Sequence, residues 1–247
     1  MNAQDPRTIA RVFGMDIRRI STYTGWLWIL TFVTSIPTRF ILYAPIRDEA
    51  NYVTGAGDLS LGLIATGAVL ELLLIISNIG TAVVPYSIHK RYSEVGAVAY
   101  VSARIMESVF IAIGIVCILA ILTLRLDAPS GATAALGQGI EAIYDWTFRL
   151  GPGFIVGVGN GLILGYMMYK SELVPRWMAM FGLIGGPLLI LAAFLVMFDV
   201  IEIGSPIDGL LTIPEAFWEI SLGIYLVVKG YRRDAPVLAN SEVGIAR

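Results

Sequence analysis

Histidine and cysteine are almost absent from this chain, which has one of each in 247 residues. The single histidine, His89, excludes haem held by two histidines, histidine-rich zinc sites and any Ser-His or Cys-His nucleophile pair. The single cysteine, Cys117, has no partner for an intrachain disulfide. The sequence also has no Gly-x-Ser-x-Gly motif, so a hydrolase nucleophile of that kind has no candidate. A metal site made of carboxylates alone stays open, although nearby arginines would oppose a cation.

Charged residues are scarce as well. They make up 15% of the chain, whereas about a quarter of a soluble domain is charged. Hydrophobic residues make up 57%, and the mean hydropathy is +0.77. The composition therefore predicts a membrane protein in contact with the lipid bilayer. The formal net charge of -2 argues against nucleic acid as a partner, because phosphate binding needs a concentrated basic face.

Apolar runs long enough to cross a bilayer predict six membrane-spanning helices. They lie at about 23–43, 59–88, 96–124, 147–169, 175–198 and 209–229. The predicted fold is an all-α bundle of six transmembrane helices in one domain, 21–231, followed by a short tail, 232–247. The basic segment 1–20 is either an interfacial amphipathic helix or a solvated tail. No small-residue cleavage site follows a short apolar core, so the first run is interpreted as a retained helix.

Lysine and arginine are distributed unequally between the two ends of these helices. Twelve lie at the end that carries both termini, and two lie at the other end, Arg47 and Arg125. Basic residues in short loops mark the cytoplasmic side of a membrane. The distribution predicts that both termini are cytoplasmic.

Ionisable side chains inside the predicted spans are the candidate functional residues. Three arginines and four glutamates lie there: Arg39, Glu71, Arg104, Glu107, Arg149, Glu215 and Glu219. A charge at the centre of a bilayer costs about 2.5 to 3.5 kcal/mol even on the most lenient insertion scale. We therefore expect these side chains to be paired or hydrated inside the bundle.

Helical spacing predicts which of them share a face. Tyr100, Arg104 and Glu107 fall in one stripe of the third helix, which should face protein, and Glu71 shares a stripe with Asn78 on the second. Glu215 and Glu219 are four residues apart on the sixth helix. Two ionised carboxylates there repel, which favours an arginine between them or one retained proton. Arg39 and Glu215 both fall in the outer leaflet, so the two can face each other.

Glycines form a second pattern in the fourth helix, at Gly153, Gly157, Gly161 and Gly165, with Arg149 one turn earlier on the same stripe. Such a face predicts close approach of a neighbouring helix. Asn160 lies off this stripe, and either bonds to another helix or lines the polar centre.

Several segments together resemble a known family. They are 71–78, 103–108, 173–179 with 182–187, and 214–225. The resemblance, over about 20–231, is to a bacterial integral-membrane family known only as a domain of unknown function, DUF4386. It implies a multi-pass protein of the bacterial cytoplasmic (inner) membrane, and it brings no activity, substrate or catalytic residue.

Three functional hypotheses follow. In the first, the charged residues, Asn78 and Asn160 form a polar centre that binds or translocates a small polar or ionic solute or protons. In the second, the protein is a non-catalytic accessory or scaffold subunit of a membrane protein partner, and its buried charges are structural. An intramembrane enzyme with Glu215 and Glu219 as acid and base ranks last, because it lacks a nucleophile or metal set. No catalytic residue, metal ligand or cofactor is assigned.

Overall fold

The computed structural model describes residues 16–47, 52–54, 59–127 and 131–239, and all statements below concern these residues. Six helices in this part of the chain are long and apolar enough to cross a membrane. Their bounds are α1 Ile17–Pro37, α2 Leu61–Val83, α3 Glu94–Asp127, α4 131–171, α5 Arg176–Met197 and α6 Pro206–Val228. Most of the predicted basic segment and the last part of the tail lie outside the described residues.

Local sequence accounts for several helix ends. The Asp16 side chain accepts a hydrogen bond from the Arg19 amide at 2.7 Å and caps α1. Ser205 caps α6 in the same way, and Pro206 follows at the first helical position. Pro85 interrupts the second span, which continues as one helical turn, Tyr86–His89, because proline has no amide hydrogen to donate.

The fourth helix differs most from its predicted bounds. It begins at Gly131, well before the apolar run at 147–169, because 131–146 is helical although it contains Gln138, Glu141 and Asp145. It is π-helical at Arg149–Ile155 and Gly157–Leu164, and α-helical again over Gly165–Ser171. The π-helical part carries Pro152 and most of the glycines.

The six helices form a ring, in which each packs against its neighbours in sequence and α6 closes on α1. Exposed apolar side chains cover the outside of every helix, as expected where lipid surrounds a bundle. Examples, one from each helix in order, are Val33, Ile76, Val116, Ile143, Ile184 and Leu210.

Two apolar cores fill the two ends of this ring. The larger core lies at the end where α1 begins and α6 ends, called the basic end here, and includes Trp28, Ile88 and Trp218. The other, at the opposite or acidic end, includes Tyr43, Ile118 and Tyr144. The polar side chains of the spans lie mainly between the two cores.

Candidate functional site

Arg104 of α3 is the most extensively bonded side chain between the two cores. Its Nη1 donates to Glu107 at 2.6 Å, and its Nη2 donates to Asn78 Oδ1 at 2.6 Å. Its Nε donates to Thr81 Oγ1 at 3.1 Å and to the Asn78 carbonyl at 3.3 Å. The guanidinium also lies 5.0 Å from the Trp28 ring of α1. The arginine therefore ties α3 to α2 and contacts α1.

Both carboxylate oxygens of Glu107 accept hydrogen bonds. One carboxylate oxygen accepts from Arg104, and the other accepts from the Asn78 amide at 3.0 Å. Both charged residues are buried, as is Tyr100 one turn away, so the face predicted from helical spacing does point into protein. Arg104, Glu107 and Asn78 form one hydrogen-bonded group, called the arginine layer below.

A cavity of about 170 Å³ lies above this layer, toward the acidic end. Its walls come from α1, α2, α3, α4 and α6. The charged residues that line it are Arg39, Glu71, Arg104, Glu107 and Glu219. Five of the seven predicted intramembrane charges therefore meet at a single cavity.

Glu71 lines the α2 side of the cavity. Its Oε2 accepts a hydrogen bond from the Tyr43 hydroxyl at 2.9 Å. Its other oxygen has no hydrogen bond to any described residue. Tyr43 lies just beyond the first span, where burial raises the pKa of its hydroxyl above the usual range and the charge of Glu71 raises it further. The hydroxyl therefore stays protonated and donates to Glu71.

Glu219 lines the α6 side. Its Oε1 accepts from the side-chain amide of Asn160 in α4. Its Oε2 has no hydrogen bond within the described ranges. The Asn160 carbonyl accepts from the Trp218 indole at 3.1 Å, so two bonds join this residue to α6. Asn160 thus bonds to another helix while it positions a cavity carboxylate.

Arg39 lies at the acidic end of the cavity, in a short π-helical turn, Thr38–Leu42, that follows α1. Its Nη2 is 3.4 Å from Asp145 Oδ1, and its guanidinium carbon is 3.6 Å from the centre of the Phe148 ring. Arg47 approaches the same carboxylate at 3.9 Å. The possible contact between Arg39 and Glu215 is not formed, because Asp145 is the acidic partner of this arginine.

Arg149 and Glu215 do not line the cavity. Arg149 pairs with Asp208 in the first turn of α6, and both side chains are buried. Glu215 is buried too, but neither of its carboxylate oxygens has a hydrogen-bond partner in the described chain. Two alternatives were open for Glu215 and Glu219, an arginine between them or one retained proton. No described arginine hydrogen-bonds to either glutamate, which leaves the retained proton.

Glu215 lies in a niche formed by glycines of α4 and α5. A Cβ atom on Gly185 would lie 2.7 Å from Glu215 Oε2, and one on Gly161 would lie 2.9 Å from it. Gly157 and Gly161 also meet the backbone of Gly186. The predicted glycine face therefore does admit a neighbouring helix. Gly153 is an exception, because its nearest neighbours are Arg149 and Phe148 of its own helix.

Sequence reasoning missed three residues that contact the charged groups. Asp145 and Asp208 lie just before the apolar runs 147–169 and 209–229, and Tyr43 is the last residue of the first run. For Asp145 the available signal was helical spacing, since Asp145 precedes Arg149 by four residues and Tyr144 precedes Phe148 by four. The signal was obscured because the apolar run at 147–169 begins only after Tyr144 and Asp145.

Comparison with known proteins gives one family match. The model described as "Domain of unknown function (DUF4386)" matches residues 23–230. No curated protein and no solved structure matches the chain.

Proposed function

The chain belongs to the DUF4386 family of domains of unknown function, and from this premise we propose that it binds a small polar or ionic solute between its helices. It has six apolar helices of membrane-spanning length, which make it a multi-pass membrane protein. The proposal concerns the cavity next to the arginine layer.

The observation that carries the proposal is the unequal bonding of the charged residues at the cavity. In the buried pair Arg104–Glu107, every guanidinium nitrogen and both carboxylate oxygens have a hydrogen-bond partner. Glu71 and Glu219 each have only one bonded oxygen among the described residues. A carboxylate at membrane depth is costly without a partner, and such residues mark ligand or ion sites by default. A solute in the cavity would supply the missing partner.

A layer of charged residues lies at each end of the cavity, which supports the proposal that the bound solute is also translocated. Asn78, Arg104 and Glu107 separate the cavity from the core at the basic end. Arg39, bonded to Asp145, lies at the acidic end. A solute that crosses the membrane must pass both layers, and the bonds of each must open in turn.

The arginine layer also favours the alternative function, an accessory or scaffold subunit. Bonds from Arg104 and Asn78 join α2 to α3, and structural roles of this kind are common in membrane bundles. In that case no solute would need the two carboxylates that line the cavity.

We further propose that the protein lies in the bacterial cytoplasmic membrane with both termini in the cytoplasm. The support is the twelve-to-two distribution of basic residues between the two ends. Green fluorescent protein fused after Arg247 should fluoresce, and alkaline phosphatase fused there should be inactive. The same phosphatase fused after Asp127 should be active. The reverse pattern would show that both termini lie outside the cytoplasm.

A solute-binding experiment tests the main proposal. The purified protein is screened with small charged and neutral solutes, with the midpoint of thermal unfolding as readout. Solutes that stabilise the wild type should lose this effect in Glu71→Gln and Glu219→Gln. Glu172→Gln is the matched control, because Glu172 pairs with Arg176 at 2.8 Å on the surface. Equal stabilisation of all four proteins would place binding elsewhere, and no stabilisation by any solute would favour the scaffold.

A further inference from the structure

The two arginines that line the cavity already donate hydrogen bonds to the protein. All three nitrogens of the Arg104 guanidinium donate to protein oxygens. Arg39 donates through Nη2 to Asp145. Its Nη1 lacks a partner in the described chain, but this atom is fully buried and does not face the open space. An anionic solute would therefore have to compete with Glu107 and Asp145 for these two arginines.

Acceptors, in contrast, remain free. One oxygen of Glu71 and one of Glu219 have no hydrogen bond to described residues, and neither atom is fully buried. The cavity residues and their ion-pair partners comprise three arginines and four carboxylates: Arg39, Arg47, Arg104, Glu71, Glu107, Asp145 and Glu219. With all of them ionised, one negative charge is in excess. A hydrogen-bond donor with one positive charge would bond to these oxygens and balance the excess charge, whereas a proton retained by one glutamate would balance the charge alone.

Aromatic rings in the cavity wall also suit a cation. Phe32, Phe110, Tyr144 and Phe148 line the cavity. Ring faces attract ammonium and guanidinium groups. Phe148 already holds the Arg39 guanidinium in this way. Half of the remaining lining residues are aliphatic (Ile36, Leu74, Ile111, Pro152 and Val156), which suits a short hydrocarbon portion.

A bare metal ion fits this environment less well. No group of three or more His, Cys, Asp or Glu side chains that could hold a metal ion occurs in the described residues. Hard cations need six or more oxygen ligands, and two carboxylate oxygens supply few of them. Aromatic rings contribute no ligand oxygen.

We propose that the solute is a small organic cation, an ammonium group on a short hydrocarbon chain, whose N–H groups donate to Glu71 and Glu219. This inference rests on the proposed solute-binding function and specifies its substrate class. The cavity of about 170 Å³ is below the usual 300–1,000 Å³ of pockets for drug-sized ligands, so the cation must be small.

Four probes of similar size test the charge and the donor separately: propylamine, propionate, 1-propanol and tetramethylammonium. Their affinities for the purified protein are measured from the shift in thermal midpoint with concentration. Propylamine should bind most tightly. Glu71→Gln and Glu219→Gln should each weaken its binding about 10- to 100-fold, the value of a charge-assisted hydrogen bond. Glu172→Gln should have no effect.

The outcomes separate this inference from the proposed function. If propionate or propanol binds more tightly than propylamine and the cavity substitutions abolish that binding, the solute is not a cation, but the solute site remains. If tetramethylammonium binds as tightly as propylamine, hydrogen bonds from an ammonium group are not required. No binding of any probe would count against both. Should a glutamine variant fail to fold, Glu219→Asp replaces it, because aspartate keeps the charge but its shorter side chain moves the carboxylate away from the cavity. This variant must weaken the binding of propylamine and leave the response to propionate unchanged.

Discussion

Asn78 holds Arg104 through two bonds, one from its side chain and one from its main chain. Its Oδ1 accepts from Nη2 at 2.6 Å, and its carbonyl accepts from Nε at 3.3 Å. The amide nitrogen of the same side chain donates to Glu107. One neutral residue of α2 thus binds both members of the ion pair on α3.

Asn78→Ala should destabilise the protein strongly. The substitution removes a hydrogen bond from each of two buried charged groups, and such bonds contribute about 1.5 to 3 kcal/mol each. Ser77→Ala is the control, because the buried Ser77 hydroxyl bonds only to the Leu73 carbonyl of its own helix. Thermal midpoints in detergent should fall by about 6–12 °C for Asn78→Ala and by far less for Ser77→Ala. Similar values for the two variants would show that the arginine layer contributes little.

A double-mutant cycle measures the Arg104–Glu107 pair itself. Arg104→Met and Glu107→Leu each leave one buried charge without its partner, which typically costs about 3 to 5 kcal/mol. The double variant removes both charges, so its loss of stability should be well below the sum of the single losses. Reversible unfolding by denaturant, followed by tryptophan fluorescence, gives the three values. Additive losses would mean that the two side chains are not coupled.

Gly186→Ala tests the contact between α4 and α5. A Cβ atom there would lie 2.5 Å from the Gly157 carbonyl oxygen and 2.9 Å from the Gly161 Cα. Both neighbours are backbone atoms, so the helices must separate, and we expect a loss of at least about 2 kcal/mol or failure to fold. Gly209→Ala in α6 meets no neighbour within 4 Å. It should be neutral or stabilising by up to about 1 kcal/mol, since alanine favours helix. A stable Gly186→Ala protein would refute the close contact.

Alkaline pH should destabilise the protein through two buried tyrosines outside the spans. Burial raises the pKa of Tyr43 and of Tyr231 above the ordinary value of 10.0. Their stabilising contribution is complete below pH 10, where both states are protonated, and falls as pH rises toward the folded-state values, because only the unfolded chain ionises. The loss is about 1.4 kcal/mol per pH unit for each tyrosine.

The measurement is the thermal midpoint between pH 9 and 11, with the Tyr43→Phe/Tyr231→Phe variant as the comparison. The variant should lose stability less steeply than the wild type over this range, whatever its stability at neutral pH. Parallel curves would show that neither tyrosine keeps its proton in the folded state.

The fold was largely predictable because hydrocarbon surroundings impose simple rules. Six apolar runs had to be helices, since only helices satisfy every backbone group within one segment. The resemblance to DUF4386 is confirmed by the match over residues 23–230. The start of α4 was not predictable from hydropathy, because 131–146 is helical without being continuously apolar.

The site was predictable in part. Spacing identified the buried face of Arg104 and Glu107 and the stripe that Glu71 shares with Asn78. Membrane depth offered Glu215 as a residue that Arg39 can face, whereas Arg39 pairs with Asp145. Membrane depth estimated from a sequence places two residues at the same level, but it does not say which helices are neighbours.

The residue order alone was enough to place charges inside the membrane-spanning segments and to assign each to one side of its helix, because both follow from composition and a fixed helical period. Three further relationships became visible only in the folded bundle: Asp145 neutralises Arg39, glycines enclose Glu215, and Glu71 and Glu219 face one cavity. These relationships depend on which helices are adjacent in the ring and on their rotation, and packing among all six settles both.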